Sequence, residues 1–108
     1  MFEANDIQHR SHLLEQSVGQ AAQACSAERS VPSELRDSIE RLDRHADTVR
    51  AILQSKDAQR ITRLVNDMVR LADRARQVCI NVPQLSIQMK SAVTQMHSQV
   101  QELKRDLL

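Results

Sequence analysis

Only three of the 108 residues, Gly19, Pro32 and Pro83, belong to the two types that most readily break a helix or reverse a chain. Sheet proteins need such residues every few positions, and they fill their strands with β-branched and aromatic side chains. This chain has one Phe and neither Tyr nor Trp. Long helices joined by few turns are what remains, and the length suits one modest core, so residues 1–108 are expected to form a single all-α domain. The same scarcity removes functions. A single glycine cannot build a Gly-rich phosphate cradle, and without Trp or Tyr there is no stacking platform for single-stranded nucleic acid.

The apolar positions recur with the helix period. In the first stretch Ile7, Leu14, Val18, Ala21 and Cys25 are spaced by three, four or seven, with Leu13 widening the stripe. Ser30-Val31-Pro32-Ser33 then offers an N-cap and a Pro in the first turn of the next helix. There Leu35, Ile39, Leu42, Ala46, Val49 and Leu53 alternate steps of four and three without a fault, which is a heptad seam. The seam stops at a polar stretch where Ser55 is a cap candidate and Asp57 favours the positive end of a new helix. Without a break there, one helix of roughly 70 Å would outrun any core this chain could offer it. Beyond it, Ile61, Met68, Ala75 and Val82, with Leu64, Leu71 and Val78 and a further column Val65, Ala72 and Cys79, form the widest apolar face. Asn81-Val82-Pro83-Gln84 reads as the start of a fourth helix bearing Leu85, Met89, Ala92, Met96, Val100, Leu103 and Leu107. Helices at approximately 5–27, 34–54, 56–80 and 83–105 predict an antiparallel up-down-up-down four-helix bundle.

The net charge of +1 hides an uneven distribution: residues 1–29 carry −2, 30–55 carry −1, 56–81 carry +3 and 82–108 carry +1. No global field attracts nucleic acid or a membrane surface. The stretch from Met1 to Asp6 lacks the cationic start and apolar run of a secretory signal, and no run of ~20 apolar residues suggests a membrane span. A cytoplasmic protein is expected, with Cys25 and Cys79 as reduced, buried thiols near one end of the bundle.

Reactive groups do not converge. In Asp6-x-x-His9-x-x-His12-x-x-Glu15 each step of three turns the side chain about 60° backwards, so the outer members face opposite ways and no metal or cofactor site is expected. Histidine phosphotransfer domains are helical bundles of this size. However, none of His12, His45 and His97 has the neighbouring Lys-Gly pair such domains carry, and Asp47 beside His45 would repel phosphate. One basic feature stands out. Lys56, Arg60, Arg63, Arg70 and Arg74 recur along the third helix, interrupted by Asp67, and can either contact a partner or pair with Glu40, Asp43 and Asp47 of the second helix. Ile52, Val69, Ile80 and Ile87 fall beside or outside the seams and call for cover. These features predict a non-enzymatic protein-interaction module, self-associating as a homodimer. Its partner-contact residues are Lys56, Arg60, Arg63, Arg70, Arg74 and Val69. A nucleic-acid-associated regulator using the same stripe is the alternative, and a phosphotransfer-like bundle a more distant one.

Overall fold

The computed structural model describes residues 4–107; Met1, Phe2, Glu3 and Leu108, and with them half of the stretch read above for a leader, lie outside the described residues. Four helices carry the chain: α1 (Ala4–Ala27), α2 (Ser33–Ser55), α3 (Ala58–Asn81) and α4 (Ile87–Leu107), and no strand occurs among the described residues. Each helix packs on two neighbours in a closed ring, α1 on α2, α2 on α3, α3 on α4 and α4 on α1, and the backbones of the diagonal pairs stay apart. The extents of 41 × 21 × 19 Å fit this ring. A helix of this length spans about 36 Å, and two helix diameters of about 10 Å fill each cross direction.

The interruption between α2 and α3 lies where the polar stretch predicted it, but the capping residue differs. Ser55 ends α2, its hydroxyl donating to the Ile52 carbonyl at 2.6 Å. Lys56 then takes a left-handed conformation (φ 57°, ψ 20°) with its amide on the Leu53 carbonyl. Asp57 caps α3, accepting from the amides of Gln59 and Arg60 at 3.1 and 3.3 Å. A carboxylate serves better than a hydroxyl because it also complements the positive helix end. The start of α4 requires a larger correction, from residue 83 to Ile87. Val82, forced out of the helical region by the following proline, ends α3 at φ −122°. A turn follows, closed by the Leu85 amide on the Val82 carbonyl, and Ser86 caps the new helix by accepting from the Met89 amide at 3.1 Å.

The core is the predicted set with small changes. The seams of α1, α2 and α3 are buried as spaced, except that Val82, the last position of the third, is only half-buried where α3 ends. In α4 the buried position is Val93, with Ala92 moved to the edge, and Leu85 is buried from the turn rather than from the helix. Ile52 and Val69 are half-buried flanks of the core, whereas Ile80 and Ile87 are 62% and 86% exposed. At Gly19 a Cβ would meet no atom within 4 Å, so its cost of about 1 kcal/mol relative to Ala has no packing in return. The closed ring with a continuous apolar centre leaves four outer grooves, and two of these carry the features of interest.

Candidate functional site

Between α2 and α3 lies a groove with two depressions, of about 190 and 250 Å³, that share His45 and Asp67. Its floor is apolar, made by Ile52, Leu64 and Leu71. Its walls hold Arg60 and Arg63 in one depression and Arg41, Arg70 and Arg74 in the other, five guanidinium groups against the single carboxylate of Asp67. The helix period explains this gathering, because steps of three, four and seven along α3 keep Arg60, Arg63, Arg70 and Arg74 on the flank that faces α2. Four of the predicted contact residues are thus brought together, and two are not. Lys56 sits in the exposed turn and terminates α2 instead of lining the groove. Val69 belongs to the opposite flank. It lies one turn from Asp73, whose carboxylate meets His97 of α4 at 2.7 Å.

The pairing of this stripe with the acidic residues of α2 is not what the geometry provides. Glu40 acts on Cys25 of α1, and Asp43 and Asp47, three and seven residues on, share its flank of α2, turned away from α3. Asp47 is also no neighbour of His45 in the groove, since two residues along a helix are about 200° apart. Among the described residues the arginines of the groove have only local partners, Arg41 with Asp37 at 3.2 Å and Arg70 with Asp67 at 3.8 Å, both at heavily exposed sites, and Arg60, Arg63 and Arg74 have none.

The other reactive groups are dispersed. His9 and His12 are exposed on α1, and no cluster of three or more His, Cys, Asp or Glu able to hold a metal occurs among the described residues. Cys25 and Cys79 are both buried free thiols. Burial pushes both above the ordinary thiol value, and both feel the carboxylate of Glu28, which places them toward the same end.

A second groove, between α1 and α4, has no counterpart in the reading of the sequence. Two depressions of about 340 and 590 Å³ share Gln20 and Gln95 and run into one another, and no ionisable residue lines either. Its signal in the sequence is an absence. From Gln16 to Ala27 there is no Asp, Glu, Lys, Arg or His, and from Ser91 to Gln101 there is only His97. Charge returns where the groove closes: Arg10 of α1 binds Glu102 at 2.9 Å and Asp106 at 2.6 Å on α4. Toward the other limit, the Glu28 carboxylate accepts from the Ser86 amide at 3.3 Å. Comparison with protein-family models, curated proteins and solved structures found nothing that matches this chain.

Proposed function

We propose that the chain is a non-enzymatic helical-bundle interaction module that self-associates and receives an acidic, amphipathic helical segment in the α2/α3 groove. The bundle in this reading runs up-down-up-down. Arg10 near the start of α1 reaching Glu102 and Asp106 near the end of α4 supports that course, as does the short connection between α2 and α3. The observation that carries the proposal is the groove itself, five arginines facing one aspartate across a floor of Ile52, Leu64 and Leu71. Aligned guanidinium groups take carboxylates bidentately, and the floor takes the apolar edge of a helix lying between them.

The same arginines support the alternative of a nucleic-acid-associated regulator, and salt dependence divides the two. Fluorescence anisotropy with a labelled Glu-rich amphipathic helical peptide and with a short DNA duplex provides the measurement. Peptide binding that weakens with salt but persists at high salt, and is lost in Arg63→Glu/Arg70→Glu, supports the module. Duplex binding whose logarithm falls steeply and linearly with log salt, with no peptide binding, supports the regulator and overturns the module. A phosphorelay reading rests on His45, half-buried among these arginines. Incubation with a small phosphodonor tests it, and label that disappears in His45→Ala would overturn the non-enzymatic reading.

A further inference from the structure

The α1/α4 groove has the make-up of a surface that meets itself. Its six glutamines, Gln16, Gln20 and Gln23 on α1 and Gln88, Gln95 and Gln99 on α4, stand among Ser and Ala with no charge between them, although 27% of the chain is charged. Interface centres are depleted of charged residues, and contact across a two-fold axis adds a stricter demand. Residues near the axis meet their own copies, so any single-sign row there repels itself. Glutamine satisfies that demand because one amide both donates and accepts, so a Gln can pair with a Gln.

One further observation points outward from the same groove. Ile87, the most exposed large apolar residue among those described, stands at the groove's margin. The α2/α3 groove excludes itself as the self-contact, since five arginines would face five arginines.

We infer that the α1/α4 groove is the surface through which a second copy of this chain docks, by an isologous, uncharged contact centred on Gln20 and Gln95. The inference rests on the self-association in the preceding reading and assigns it to one face. The patch is about 20 Å long and two helices wide, on the order of 400 Å² in projection, below the roughly 800 Å² per partner of a stable interface. The contact therefore belongs to the small, transient class of interfaces.

Sedimentation velocity of the full chain from low to high micromolar concentration tests this. Wild type is expected to shift from monomer to dimer. Gln20→Glu/Gln95→Glu is near-isosteric at exposed sites and keeps helix-forming residues, and it is expected to weaken association by about tenfold or more with unchanged circular dichroism. Mixing it with Gln20→Lys/Gln95→Lys should restore a dimer that neither variant forms alone. Arg63→Glu, in the other groove, should leave self-association intact. A wild type that stays monomeric overturns self-association altogether, in the preceding reading as well as here. A wild-type dimer that the Glu pair leaves intact, or variants that stay monomeric when mixed, overturns the α1/α4 assignment alone.

Discussion

The two grooves sit on opposite sides of one helical ring and divide the chain's charge between them. The α2/α3 groove gathers five arginines over an apolar floor, while the α1/α4 groove has no ionisable lining at all. Both arise from the same periodicity, so the difference lies in which residue types occupy equivalent flanks. A helix flank that bounds the core must be wettable, and either charge or neutral amide achieves this. The choice determines what the surface tolerates opposite it: the charged groove suits a partner of opposite sign, and the neutral one suits a copy of itself.

The largest expected difference between the grooves concerns their floors. Leu64 is 5% exposed beneath the basic groove, whereas Leu13 at the lip of the neutral one is only half-buried. Leu64→Ala is expected to destabilise by about 2–4 kcal/mol through lost transfer energy and a cavity, and Leu13→Ala by about 1 kcal/mol or less. Urea denaturation monitored by circular dichroism measures both. Equal costs would break the comparison, because Leu13 would then be core and the neutral groove too well filled to receive anything.

Charge provides the next contrast. Arg10, with its side chain 22% exposed, bridges α1 to two carboxylates of α4 and closes the neutral groove, whereas Arg63 binds no carboxylate among the described residues. Arg10→Ala is expected to cost about 1 kcal/mol, roughly 4–8 °C in Tm for a chain of this size, and less in high salt. Arg63→Ala is expected to change stability by no more than about 0.5 kcal/mol. An Arg63→Ala variant as destabilised as Arg10→Ala would mean that the groove arginines serve the fold rather than a partner.

Lys56 sharpens the boundary of the basic groove. Its left-handed φ of 57° is a conformation that glycine adopts freely and L side chains resist. Lys56→Gly is expected to stabilise by about 0.5–1 kcal/mol in thermal denaturation while leaving acidic-peptide affinity unchanged. A loss of affinity would return Lys56 to the contact surface.

The fold was legible because spacing alone determines it. The faultless seam from Leu35 to Leu53 could only be one buried helix face, and Pro83 could only interrupt α3. Local competition was not legible. Whether Ser55 or Asp57 caps α3 depends on where the left-handed residue falls, and the turn that buries Leu85 moved the start of α4 by a full turn. At the site, the arginine stripe was visible in α3, but its surroundings needed the angular position of Glu40, Asp43 and Asp47 on α2. Val69, about 100° around α3 from the neighbouring Arg70, stands apart from the stripe. The neutral groove was not legible because it joins α1 to α4 across the length of the chain, and because a run without charge carries no motif.

The smallest expected effect separates the two ends of the neutral groove. Arg10 closes one end with ion pairs, while the half-buried Glu28 ties the turn after α1 to the turn before α4 through Ser86. Hydrogen bonding from Ser86, through its side chain and its backbone amide, and from Ser30 outweighs a smaller opposing desolvation and holds the Glu28 carboxyl below its ordinary value. A carboxyl whose pKa is lower folded than unfolded binds fewer protons in the native state. Its stabilisation is fully present above the unfolded pKa and is lost as pH falls through the folded one. Thermal midpoints taken from about pH 6 down to about pH 3 should therefore fall more gently in Glu28→Gln than in wild type, with the two close at neutral pH, since a Gln oxygen still accepts from the Ser86 amide. Superimposable pH profiles would mean that the Glu28 contact contributes nothing to closing this end.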